Sequence, residues 1–229
     1  MKPALDLSLY LVLDPDLCDG GQGMVDTALA AVAGGVTIVQ LRAPRWKKRQ
    51  WVAVAMALKA ALDPHHIPLI INDHIDVALL VDAAGVHVGQ QDIAPGMARQ
   101  LIGPHKILGL SISNAEQMAA APLGVVDYIG VGPVFATGTK LDASPVIGLE
   151  EFTSLMQAKS LPAVAIGGIG LGHVAALLSA GADGVAVVSA ICGQNNPQQA
   201  AQALRLEGAI GCNYPAGAGR MVFGGDVDD

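Results

Sequence analysis

Cysteine, aromatic side chains, positive charge and long apolar runs are all scarce in this chain, and each shortage excludes something. The three cysteines, Cys18, Cys192 and Cys212, are scattered over 229 residues, with no C-x-x-C pair and no His/Cys cluster at zinc spacing. That argues against a disulfide framework or a structural zinc and for free thiols in a reducing compartment, as small core or surface residues. Thirteen Lys and Arg stand against twenty Asp and Glu, a net charge of −7. The surface as a whole should not attract nucleic acid or anionic lipid, and any anion site has to be local. Although 52% of the residues are hydrophobic, charges, Gly or Pro interrupt every apolar stretch before it could cross a bilayer. The first such run follows Lys2, Pro3 and Asp6 and is closed by Asp14, too early for the core of a secretory leader. The expectation is a cytoplasmic protein whose partners are neither nucleic acid nor membrane; the sequence leaves a homo-oligomer open.

What is present is a rhythm. Aromatics form only 3% and charged residues 14% of the chain, as expected when buried Val/Ile/Ala strands are covered by Ala/Leu helices. Short Val- and Ile-rich runs occur at 9–13, 36–41, 68–71, 85–88, 106–110, 127–131, 163–166 and 184–188, which makes eight strand candidates. Between them, segments such as 46–62, 75–81, 115–121, 149–158 and 172–180 have helical length and composition. AGGV, AAGV and AGADGV, before Val36, Val86 and Val185, read as helix exits in which a glycine supplies a left-handed cap and a strand follows at once. Strict alternation with short loops predicts an α/β protein with a parallel sheet, and eight units predict a single-domain (β/α)8 TIM barrel over 1–207, with an open doubly wound sheet as the alternative. From 208 to 229 the chain is Gly-rich, aperiodic and acidic at its end, and is expected to be a mobile tail.

Polar residues cluster directly after the strand candidates, where a barrel gathers its carboxyl ends onto one face. Asn72 and Asp73 follow the third strand and Asp92 the fourth. Two carboxylates from adjacent strands suit a hard divalent cation, and magnesium takes only one or two from protein while leaving other positions to water and phosphate oxygens. The same residues equally fit a helix cap and a loop carboxylate. Arg42 after strand two and Lys140 in TGTK after strand six add cations, and Thr137 and Thr139 add hydroxyls. Gly167 and Gly168 end strand seven, and Val188 and Ser189 end strand eight ahead of a helix that could begin at Ala190; loops there commonly seat a phosphate because bare glycine backbone lets N–H groups approach an anion. A phosphorylated small-molecule substrate follows. None of the six histidines forms a metal motif: His87, within a strand, reads as packed, and Trp46 and Trp51 read as packing residues of one helix.

The blocks YLVLD, GGVTIVQLR, LIINDHIDVALLVDAAGVHVGQQD, GLSISN, DYIGVGPVFATGTK, VAIGGI and GADGVAVVSAI, in this order across nearly all of residues 8 to 192, resemble the thiamine phosphate synthase family. The resemblance implies a (β/α)8 enzyme that joins a hydroxymethylpyrimidine pyrophosphate to a thiazole phosphate, releasing pyrophosphate and forming thiamine monophosphate with Mg²⁺. By matching position it implies Asp73 and Asp92 as magnesium ligands and Arg42, Asn72 and Lys140 as pyrophosphate contacts. Gln40 and Ser111 would lie around the pyrimidine, and Thr137, Thr139, Gly168, Val188 and Ser189 around the thiazole phosphate. On the same resemblance, Arg42, Lys140 and Ser111 would carry the catalytic roles. The implied reaction breaks the C–O bond to pyrophosphate first, giving a pyrimidine methyl cation that the thiazole nitrogen captures, so no general base is needed there.

The chain departs from the family pattern in one place that bears on this chemistry. The family usually reads QLREK after strand two, whereas QLRAP stands here, with Pro44 where a phosphate-binding lysine is expected. One lost charge-assisted contact costs roughly 1.5–3 kcal/mol, and Arg45 and Lys47 are the nearest cations that could reach back. Gly138 in place of a proline and Leu141 in place of a second lysine also alter the loop after strand six. Two alternatives therefore stay open: a thiazole tautomerase-like isomerase, and a barrel that binds thiamine precursors without turnover. Other phosphate-handling barrels, such as epimerases, need a positioned proton-transfer group that the sequence does not offer.

Overall fold

Strands of four to six residues, built from β-branched and aliphatic side chains, can be buried on both faces only if they sit between a packed interior and a ring of helices. The computed structural model, which describes residues 5–138 and 145–212, has that arrangement. In chain order the elements are β1 (Leu9–Leu13), α1 (Gly20–Ala33), β2 (Ile38–Leu41), α2 (Lys48–Leu62), β3 (Leu69–Asn72), α3 (Ile75–Leu80), β4 (Gly85–Val88) and α4 (Pro95–Ile102). There follow β5 (Ile107–Ile112), α5 (Ala115–Ala120), β6 (Tyr128–Val131), α6 (Gly148–Ala158), β7 (Ala163–Ile166), α7 (Val174–Ser179), β8 (Gly184–Val187) and α8 (Pro197–Cys212). Each strand pairs in parallel with the next, and β8 returns to β1 through Leu9↔Val185, Tyr10↔Ala186 and Leu11↔Val187. The sheet is closed, which removes the open doubly wound alternative. No helix among the described residues is long and apolar enough to cross a membrane.

Strand periodicity divides the apolar residues into two cores. Leu9, Leu11, Val39, Leu41, Val86 and Val88 point outward to the helices. Tyr10, Val12, Ile38, Ile70, Ile107, Tyr128, Val164 and Ala186 fill the barrel interior. Gly85 and Gly184 open β4 and β8 because the neighbouring backbone passes where a side chain would stand: a Cβ on Gly184 would lie 1.8 Å from the Leu7 carbonyl oxygen, and one on Gly85 2.1 Å from that of Ile107.

The helix exits follow expectation in two cases of three. Gly35 and Gly181 take positive φ, 104° and 105°, but in the AAGV exit the left-handed residue is Asp82, φ 52°, and Gly85 already belongs to β4. Asp tolerates that region because its short polar side chain can bond locally. Trp46 precedes α2 and does not lie on it. The last helix continues to Cys212, past the boundary expected at Glu207; 213–229 lie outside the described residues.

Polar joints tie the underside, the amino-terminal end of the strands. Asp127 Oδ2 accepts the Leu108 N–H at 2.8 Å while its own N–H reaches Leu108 O at 2.8 Å; Asp183 does the same with Ala163 at 2.7 and 2.8 Å. Thr37 bonds both polar groups of Leu9. Arg99 and Lys159 pair with these two aspartates. Replacing Gly184 by Ala should therefore weaken the fold by about 2–4 kcal/mol by forcing β8 from β1. Gly96→Ala, at a helical position with nothing within 4 Å of the added carbon, should shift stability by less than about 1 kcal/mol, in the stabilising direction. Urea unfolding of the two variants beside the parent checks both.

Candidate active site

The rim at the carboxyl ends of the strands collects the acidic and amide residues singled out above. Asn72 ends β3 and donates from Nδ2 to Asp73 Oδ2 at 2.6 Å. Asp73 takes positive φ, 58°, and its N–H reaches the carbonyl of His87 on β4 at 2.9 Å. The turn is therefore pinned to the neighbouring strand. In the loop after β4, Asp92 accepts the Gly89 N–H at 2.8 Å through Oδ2 and is otherwise exposed. It lies near enough to His74, the residue after Asp73, to act on that imidazole's charge. Burial, helped by the Lys48 ammonium, holds His74 below its ordinary value, against the opposing pull of Asp76 and Asp92. Lys48 bonds His74 Nδ1 at 2.7 Å and Asp76 at 2.6 Å, which holds the Asp76 carboxyl below the usual carboxylate range. Arg42, half-buried after β2, takes part in no ion pair among the described residues. No group of three or more His, Cys, Asp or Glu side chains among those residues could hold a metal. An ion bound here would draw on Asp73, Asp92 and oxygen atoms of its ligand, the donor set magnesium accepts.

Beneath the rim, a hydrogen-bonded chain crosses the barrel interior. Gln40 Nε2 donates to the Tyr10 hydroxyl at 2.7 Å, the Tyr10 and Tyr128 hydroxyls are 2.8 Å apart, Tyr128 meets His87 Nδ1 at 2.9 Å, and His87 Nε2 meets Ser111 Oγ at 2.9 Å. The Gln40 amide sets its direction. Since Nε2 can only donate, the Tyr10 proton has Tyr128 as its available partner, and the arrangement that leaves no buried proton unpaired runs from Tyr10 to Tyr128, from Tyr128 to Nδ1 and from Nε2 to Ser111. Ser111 is left with its own proton to offer at the mouth, and Gln40 with its carbonyl oxygen. Burial pushes both tyrosine hydroxyls above their ordinary values, so they stay protonated. His87, read from the sequence as a packed residue, is buried but links two strands, and Tyr10 and Tyr128 were not singled out at all. One sequence signal marks the place: Gly109 lies inside β5, and a Cβ there would come within 2.3 Å of the Tyr128 ring and 2.4 Å of His87 Nδ1.

The loops after β6, β7 and β8 carry Thr137, Gly168, Val188 and Ser189. Thr137 lies half-buried in the segment after β6, while Thr139 and Lys140 fall outside the described residues. Gly168, φ 63°, is needed by packing: its Cβ would stand 2.4 Å from Ala136 O and 2.8 Å from Phe135 Cβ. The glycine thus lets the segment after β6 lie against the end of β7. Strand β8 ends at Val187, and no helix begins at Ala190. Residues 188–193 form turns in which Val188 O accepts the Ile191 and Cys192 N–H groups at 3.0 and 2.8 Å, and Ser189 O accepts from Gln194. Arg45 does not reach back toward the mouth; it pairs with Asp16 after β1. A hollow of about 180 Å³ lies beside Asp92, lined in part by Gln90, Pro95 and Leu110, and a larger groove of about 670 Å³ runs outside the barrel between α5 and α6.

Comparison with known proteins agrees with this geometry. Residues 9–191 match the family model described as thiamine monophosphate synthase. A thiamine-phosphate synthase of Laribacter hongkongensis is 53% identical over 197 residues, covering 86% of this chain and 93% of that one. One from Xanthobacter autotrophicus is 53% identical over 205 residues, covering 90% and 97%. Among solved structures, thiamine phosphate pyrophosphorylase from Pyrococcus furiosus superposes with a TM-score of 0.80 at 32% identity over 90% of this chain and 97% of its own. A 3-hexulose-6-phosphate synthase, at 19% identity and a TM-score of 0.65, shares the fold alone.

Tyr128→Phe should remove the central hydroxyl and strand the Tyr10 proton and His87 Nδ1, at a cost of about 1–3 kcal/mol for unmade buried hydrogen bonds. Gly109→Ala, which drives a methyl into the same two rings, should cost at least as much. Denaturant titration measures both, and a shift near zero for Tyr128→Phe would show that the interior chain carries no stabilisation.

Proposed function

The chain belongs to the thiamine monophosphate synthase family, and from that premise we propose a division of labour at the mouth of its barrel. The reaction joins hydroxymethylpyrimidine pyrophosphate to thiazole phosphate and releases pyrophosphate. The observation that supports the assignment of roles is that Asp73 and Asp92 follow the paired strands β3 and β4, with Arg42 after the neighbouring β2 in no ion pair among the described residues. Asp73 and Asp92 would hold Mg²⁺. Bound there, the ion supplies positive charge to the leaving diphosphate. Arg42 grips the same group through its guanidinium fork, and Asn72 orients Asp73 while offering its own polar atoms to the ligand. Lys140, by its place in the sequence, supplies a second cation.

Gln40 and Ser111 read the pyrimidine. The direction of the interior chain leaves the Gln40 carbonyl as an acceptor and the Ser111 hydroxyl as a donor. That pair offers one acceptor and one donor to the pyrimidine, whose ring nitrogens are acceptors. Below, the barrel interior is packed with apolar side chains and a polar chain whose members bond one another, a filling that favours excluding the water that would trap the methyl cation once the C–O bond has broken. Thr137, Gly168, Val188 and Ser189, joined by Thr139 on its place in the sequence alone, would serve the thiazole phosphate and bring the ring nitrogen to the cation. No proton has to be abstracted in that step. A cytoplasmic setting belongs to the same reading.

Purified protein given both substrates and Mg²⁺ should yield thiamine monophosphate, and excess EDTA should abolish the product. Asp73→Asn or Asp92→Asn should lower kcat/KM by about a hundredfold or more, roughly 2.7 kcal/mol of lost transition-state stabilisation. Added Mg²⁺ should recover part of that loss. Arg42→Ala should raise KM for the pyrophosphate substrate while leaving that for thiazole phosphate nearly unchanged. Isomerisation of a thiazole phosphate carboxylate in the presence of chelator, with no thiamine monophosphate formed, would replace the synthase by an isomerase.

A further inference from the structure

Two of the three cysteines, far apart in sequence, meet beside the barrel seam. Cys18 lies between β1 and α1, Cys192 in the turns after β8, and β1 pairs with β8. Both are free and buried, 4% and 1% exposed. Their chain neighbours lie against each other: a Cβ on Gly193 would stand 3.4 Å from the Leu17 carbonyl oxygen and 3.8 Å from its side chain, and each thiol is the leading influence on the other's proton affinity. Cys192 Sγ also lies 3.7 Å from Val12 O, and Cys18 has the Thr27 hydroxyl beside it. The established chemistry of the barrel uses neither thiol.

We propose that Cys18 and Cys192 are an oxidisable pair that a peroxide converts into a reversible disulfide, fastening the segment after β1 to the turns after β8. The two sulfurs are not equivalent. The neighbouring Cys192 thiol holds Cys18 below the ordinary thiol value, while Cys18 together with burial pushes Cys192 up. Cys18 is therefore the nucleophile of the two. The Cys18 thiolate attacks one oxygen of hydrogen peroxide and the O–O bond breaks; the departing hydroxide takes a proton and leaves as water, and Cys18 becomes a sulfenic acid. Cys192 sulfur then attacks the sulfenic sulfur, the S–O bond breaks, and the hydroxide leaves as water with the Cys192 proton. Two thiols and one peroxide give one disulfide and two waters. Burial means that the peroxide enters when the segment after β1 opens locally, so the pair should react more slowly than an exposed thiolate. The consequence reaches the rim, because Val188 O holds the Cys192 N–H and Asp16, near Cys18, holds Arg45.

The test is a disulfide map of the full-length protein after exposure to hydrogen peroxide, alkylation of remaining thiols and digestion, and its readout does not depend on the catalytic assignment. The expected result is a peptide pair linked through Cys18 and Cys192, loss of two of the three thiols, and recovery of both on adding dithiothreitol. In Cys192→Ser, Cys18 should stop as a sulfenic acid that dimedone captures. Survival of both thiols, a link through Cys212, or sulfinic or sulfonic acid at Cys18 without a link would overturn the proposal. The map of the unsubstituted protein decides the matter even if the variant does not fold.

Discussion

When Leu9, Tyr10 and Leu11 pair with Val185, Ala186 and Val187, the last strand meets the first, and residues more than a hundred positions apart come to share one rim. The site inherits its geometry from that seam, which tolerates little at its narrowest point. Gly184 lies so close to the Leu7 carbonyl that even a methyl group has no room. Polar joints at Thr37, Asp127 and Asp183 hold the far end. Closure is thus secured away from the mouth, where the residues that meet ligand remain free to be chosen for chemistry.

Within the barrel, a satisfied polar chain stands where a purely apolar filling could have been. Its stake is high on both sides: complete, it fixes the rotamers and proton positions of Gln40 and Ser111, and with one member missing it leaves buried donors and acceptors without partners. Two tyrosines and a histidine need more room than a layer of aliphatic side chains, and Gly109 supplies it. The shape of the pyrimidine face is therefore decided partly by residues that need not touch a ligand.

Much of this architecture was legible beforehand, for a physical reason. Strands buried on both faces leave short Val/Ile runs that helices do not imitate, so all eight strands were found, with ends displaced by a residue or two. β5 extends to Ile112 because Ser111 is polar yet faces inward, where a count of apolar residues stops too soon. Asp73, Asp92, Arg42 and Asn72 could be singled out because they follow strands. Tyr10, His87 and Tyr128 could not, since periodicity reports that a side chain is inside and says nothing about which neighbour it bonds on another strand. The contact between Cys18 and Cys192 was hidden in the same way: it exists only once the seam is closed. The reason for Gly168 was likewise a matter of tertiary packing.

Trp51 has a consequence of a different kind. It is one of only two tryptophans, it is 1% exposed, and its indole meets the His74 ring edge-on with centroids 4.6 Å apart, one residue from Asp73. An indole so placed emits from a dry pocket, and its quantum yield is sensitive to the imidazole it touches. The protein thus carries an optical reporter of the turn after β3, through which ligand arrival could be followed in real time without any attached dye.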